Sequence, residues 1–161
     1  MNTISPLYKG IITGATMIIC SLVLYYSKLP PNSPVHYTGY LIYAAGITWA
    51  LIGYAKSPAF TGNFGDLFGQ GFRCFIVVTL IMVAFTSIFS MMHPEFANES
   101  AAAYRESLIK EGNKTVAEID AIVTKAKKQY TTTIVSLTIF GYLIMGAIIT
   151  AAGSAILMRR K

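Results

Sequence analysis

Four stretches of this chain carry no Asp, Glu, Lys or Arg: Gly10–Ser27, Tyr37–Ala55, Cys74–Met92 and Gln129–Met158. About twenty apolar residues in a helix cross a hydrocarbon layer of ~30 Å. A helix at the surface of a soluble domain needs one polar face, and these stretches have none. They predict an all-α membrane protein with four transmembrane helices, at about 7–26, 35–55, 72–92 and 131–158. Charged residues make up 12% of the chain, about half the share usual in soluble domains, ~25%.

Charge that the four windows lack is gathered elsewhere. His93 to Tyr130 is the one long polar segment, and it holds twelve of the twenty charged residues, six acids and six bases. Its apolar residues recur at helical spacing in two runs. Ala97, Ala101, Tyr104 and Leu108 form the first, and Val116, Ile119, Val123, Ala126 and Tyr130 the second. Gly112-Asn113 ends the first run, as a glycine just past a helix does. Thr115 with Glu118 reads as a capping box that opens the second. The expectation is an extramembrane helical hairpin over 93–130, between spans 3 and 4. Nothing breaks helix between Thr115 and Gly141, so the second arm is expected to run straight into the last span, as one helix of more than forty residues.

Positively charged loops stay in the cytoplasm. With four spans, both termini and the middle loop share a side. That side carries Lys9, Lys56, Arg73, Arg159, Arg160 and Lys161 against Asp66. The expected topology is N-in and C-in in a cell inner membrane, multi-pass, with loop 93–130 outside. The first window is read as a retained span, since only Lys9 precedes it and no A-x-A cleavage site follows. The net charge of +6 comes from membrane edges rather than from a reading face, so nucleic acid is excluded as a partner. The lipid bilayer is the expected partner.

Several local features bear on chemistry. Cys20 and Cys74 lie at different depths and read as free thiols acting as small hydrophobes. His36 reads as a headgroup-level residue beside Tyr25, Tyr26, Tyr37 and Tyr40. Phe60, Phe64, Leu67 and Phe68 suggest a short helix lying in the interface plane, from which Asp66, Gln70 and Arg73 are candidates for lipid or partner contact. Its glycines do not form a phosphate loop, because no strand precedes them and no G-K-[ST] follows. His93, Glu95 and Glu99 are weak candidates for a metal site, although both acids already suit the start of a helix. No catalytic residue, cofactor site or firm metal site is expected. The four windows hold no Asp, Glu, Lys or Arg, which argues against a pump or an intramembrane hydrolase. In the last span Ala147, Ala151 and Ala155 lie four apart with Gly146, Thr150 and Ser154 beside them, a small-residue ridge suited to close helix packing, with a partner membrane protein or a second copy as the expected contact. Asn98-Glu-Ser100 and Asn113-Lys-Thr115 match the N-glycosylation sequon, which has meaning only in a cell that glycosylates it.

Taken together, certain motifs have a family likeness: Gly10 and Gly14 in the first span; Phe64-Gly65-Asp66-Leu67-Phe68-Gly69-Gln70-Gly71-Phe72; Pro94-Glu95-Phe96; and Gly141 and Gly146 ahead of a basic C-terminus. This layout resembles the bacterial domain-of-unknown-function family numbered 4199, and the likeness covers nearly the whole chain. His93 departs from the acid expected before that proline. The resemblance implies a small four-span inner-membrane protein with no assigned activity. The expected role is therefore that of a non-enzymatic accessory or scaffold protein, such as a subunit of an envelope complex. Its alternatives are a small oligomeric channel or transporter, and an enzyme, or partner of an enzyme, acting on lipid-linked substrates.

Overall fold

The computed structural model describes residues 5–27 and 34–159. Among them the chain is all-helical, with six α-helices: α1 Pro6–Tyr26, α2 Thr38–Ala55, α3 Phe64–Met92, α4 Glu95–Glu111, α5 Val116–Lys128 and α6 Tyr130–Arg159. A short 3-10 turn, Pro34–Tyr37, leads into α2. Three of the helices, α1, α3 and α6, are long and apolar enough to cross a membrane. α2 has 18 uncharged residues, about 27 Å of helix. Its tyrosines, Trp49 and three glycines make it less hydropathic than the others. Residues 28–33 of the proline-rich connection, the side chain of His36, and Arg160 and Lys161 lie outside the described residues.

The chain forms two compact units. The first comprises residues 1–82 and 139–161, the second 83–138. In the first, the fully buried side chains include Met17, Tyr43, Ile47, Leu51, Leu67, Cys74 and Val78. Glycine sets how closely its helices meet. A Cβ on Gly10 would lie 2.8 Å from the Cys74 carbonyl oxygen and 2.9 Å from Val77, and one on Gly14 would lie 2.9 Å from Ile81. The G-x-x-x-G pair of α1 is thus the surface on which α3 rides, as close backbone approach in membranes requires. Gly146 of α6 leaves the space that the Tyr43 hydroxyl and the Phe75 ring occupy. That hydroxyl donates to the Tyr142 carbonyl at 2.8 Å, and the Tyr43 and Tyr142 rings meet edge to face at 5.1 Å.

Within the first unit the small-residue ridge of α6 packs through the line of Gly146, Thr150 and Ser154, the buried residues of this helix. Ala147 and Ala151 are half-buried and Ala155 is exposed. A step of one residue turns a helix face by ~100°, so spacing alone does not choose between the two lines.

In the second unit the backbone follows the sequence signals closely. α3 ends at Met92, and Pro94 caps α4, where a proline suits a helix start. Gly112 closes α4 with φ of 69°, in the left-handed region that glycine enters without a Cβ penalty. Thr115 opens α5 with a full capping box. Its hydroxyl accepts from the Glu118 amide, and the Glu118 carboxylate accepts from the Thr115 amide at 2.8 Å. The Thr115 amide first and its hydroxyl second hold the Glu118 carboxyl below its ordinary value. Arg105 on α4 pairs with Asp120 on α5 at 2.7 Å, and Ala101, Leu108 and Ile119 are buried.

Two expectations are corrected. The amphipathic segment around Phe64–Gln70 is no separate interfacial helix: it is the opening of α3, which runs 29 residues without a break. The chain breaks earlier, at Gly62 with φ of 81°, and the Asn63 side chain accepts from the Gly65 amide at 3.1 Å. The third helix therefore starts eight residues before the expected Phe72. The second correction is that α5 and α6 are not one helix. Gln129 interrupts them, leaving segments of 13 and 30 residues. The interruption is small, because Gln129 N–H still donates to Lys125 O at 3.1 Å and Thr133 N–H to Gln129 O at 2.9 Å.

Candidate functional site

The polar cluster that the structure assembles is centred on Lys9. Ser5 caps α1, accepting from the Tyr8 amide at 3.4 Å, and Pro6 occupies the first turn. Lys9 follows one turn in and is buried, 5% exposed. Reading Lys9 as an edge cation missed this. A lysine near a helix end ordinarily extends its stem so that the ammonium reaches water. Here Nζ turns to α2 instead: it donates to the Trp49 carbonyl at 3.3 Å and lies 5.3 Å from the centre of the Trp49 ring, within cation–π reach. Gly53, one turn further along α2, makes room for it, since any Cβ there would collide with Nζ.

Lys9 lines a cavity of ≈ 250 Å³ together with Ser5, Gly53, Tyr54, Ser57 and Gln70. The Tyr54 hydroxyl donates to the Ala59 carbonyl at 3.2 Å, and its ring meets Phe60 edge to face at 5.7 Å. The Ser57 hydroxyl is buried and takes no hydrogen bond among the described residues. Among the described residues no carboxylate lines the cavity, and no salt bridge includes Lys9. A buried charge needs pairing or thorough hydrogen bonding, and among the described residues this one has a single carbonyl and a ring face. The only sequence signal for it was a lysine inside the first turns of a span.

Of the residues singled out for lipid or partner contact, only Gln70 reaches this cavity. Asp66 accepts a hydrogen bond from the Thr61 hydroxyl, and Arg73 is exposed. At the start of α4, His93 Nδ1 and Glu95 Oε1 pair at 2.6 Å. The Glu95 carboxyl is held below its ordinary value, by its own amide first and then by His93. The His93 ring packs 4.5 Å from Phe89 and 6.0 Å from Phe96. Glu99 is exposed on α4. Among the described residues no group of three or more His, Cys, Asp or Glu is placed to hold a metal ion. Cys20 and Cys74 are both free thiols.

A family model described as "Protein of unknown function (DUF4199)" matches residues 8–159. No curated protein and no solved structure matches the chain.

Proposed function

The chain belongs to the DUF4199 family of proteins of unknown function, and we propose that it is a non-enzymatic accessory protein of the bacterial inner membrane. α2 serves as the fourth span beside α1, α3 and α6. Both termini face the cytoplasm, and α4 and α5 form a hairpin on the outer side. Support for the topology comes from the basic residues Lys56, Arg73 and Arg159 on the proposed inner side.

One observation carries the accessory role. The hairpin buries Ala101, Leu108 and Ile119 yet leaves Ile109 59% and Val116 70% exposed, on either side of the Gly112 turn. Two large aliphatic residues at the tip of a polar, charge-balanced hairpin have no structural use in the hairpin itself. They suit contact with an apolar depression on an envelope protein. Replacing both by serine (Ile109→Ser, Val116→Ser) is expected to leave the fold intact, because neither is buried. It should abolish crosslinking of the hairpin to its partner, read in cells with a photoreactive side chain at position 113. Unchanged crosslinks in the double variant, or none in the parent, would count against the reading.

A further inference from the structure

We propose that the Lys9 cavity is a binding site for a single phosphate oxyanion. The proposal concerns the membrane unit and stands apart from the role of the hairpin.

The groups facing the cavity are mismatched in one direction. Lys9 has three N–H donors and uses one, on Trp49 O. Ser57 has a buried hydroxyl with no partner among the described residues. Gln70 adds an amide, and Ser5 keeps its hydroxyl hydrogen while its oxygen accepts from Tyr8. The start of α1 lies at the same place, and the dipole of a helix N-terminus favours negative charge. Donors and positive charge thus converge on a space that no carboxylate enters. The nearest acid along α3 is Asp66, one turn before Gln70, and it is engaged by Thr61. The occupant that completes such a set is an acceptor-rich anion.

Size narrows it further. Sites for drug-sized molecules run from ~300 to ~1,000 Å³, and this cavity is ≈ 250 Å³. It accommodates a headgroup rather than a whole metabolite. Phosphate offers the oxygens to take the Lys9 ammonium and the Ser57 and Gln70 donors together. Its source is either an anionic phospholipid at the membrane edge or free phosphate from solution.

Gly53 leaves the space that Nζ occupies. Alanine is the better helix former by ~1 kcal/mol, but its methyl would expel Nζ from its place.

The test uses the full chain, delipidated in a non-ionic detergent, with two probes: a short-chain phosphatidylglycerol below its micellar concentration, and inorganic phosphate. Binding is read by calorimetry and by native mass spectrometry. One equivalent of phosphatidylglycerol is expected to bind the parent protein. Lys9→Met and Gly53→Ala should each weaken it about tenfold or more, the loss of one charge-assisted contact. Lys9→Met keeps the apolar stem and removes a buried charge, a change that bundles tolerate. Gly53→Ala keeps the charge and moves it. Lys56→Met, beside the cavity but exposed, should change nothing. If inorganic phosphate binds and competes, the natural source is soluble; if only the lipid binds, the source is the bilayer. Equal binding by the parent and Lys9→Met, or no stoichiometric binding of either probe, would overturn the proposal.

Discussion

Gly146→Leu is expected to prevent the membrane unit from forming. Gly146 is where α6 lets in the Tyr43 hydroxyl and the Phe75 ring, with the Phe75 Cγ only 2.6 Å from where a Cβ would sit. Neither neighbour can withdraw freely. The Tyr43 hydroxyl is tied to the Tyr142 carbonyl at 2.8 Å, and Tyr43 and Phe75 are both buried. Four added carbons would either break that hydrogen bond or push α6 off its neighbours. Overpacking a filled core costs ~1–3 kcal/mol for modest insertions, and this one adds the loss of a buried hydrogen bond worth ~1 kcal/mol. The expected result is no monodisperse peak by fluorescence-detected size exclusion. Gly141 on the same helix meets nothing within 4 Å. Gly141→Ala should therefore raise the melting temperature slightly, through helix propensity alone. A Gly146→Leu protein as stable as the parent would show that α6 does not sit on Tyr43.

The second large effect belongs to Gly10→Val. Gly146 meets side chains, but Gly10 meets backbone: the Cys74 carbonyl oxygen, 2.8 Å from a Cβ, with Val77 at 2.9 Å. A side chain can change rotamer, whereas a carbonyl moves only with its helix. Valine at 10 therefore separates α1 from α3 along their contact, and Gly14 against Ile81 at 2.9 Å loses its fit with it. In lipid, close packing of this kind is a main source of helix association. The expected cost is ~3 kcal/mol or more, seen as a lowered midpoint of unfolding by SDS titration. Gly10→Ala should fall between valine and the parent. Equal midpoints for all three would contradict the α1–α3 contact.

These two residues show what the sequence carried and what it did not. Gly10 and Gly14 stand four apart, a spacing that lets another helix approach closely, and α3 makes that approach in the structure. The capping box at Thr115 and the glycine at 112 were equally legible, because each satisfies a local backbone need. The line of small residues on α6 was less so. Ala147, Ala151, Ala155 and Gly146, Thr150, Ser154 have the same spacing, and only the neighbours decide which line is buried. The opening of α3 was misread as a separate helix because its amphipathic pattern suits an interface, while the true break at Gly62 depends on a backbone angle. Lys9 was hidden for a related reason. Its position was visible, but the room that Gly53 makes, the Trp49 carbonyl that receives Nζ and the unpartnered Ser57 hydroxyl come from three places in the chain that only folding brings together.

The proposed topology, four spans with the termini inside and the α4–α5 hairpin outside, is open to cysteine labelling. In a background with Cys20 and Cys74 replaced by alanine, single cysteines are placed at Glu106 on α4 and at Lys56 after α2, both exposed. A membrane-impermeant maleimide is then applied to cells with a permeabilised outer membrane, before and after the inner membrane is opened. Position 106 is expected to label at once and position 56 only after opening. Labelling of position 56 in cells with an intact inner membrane, with position 106 protected, would contradict that topology.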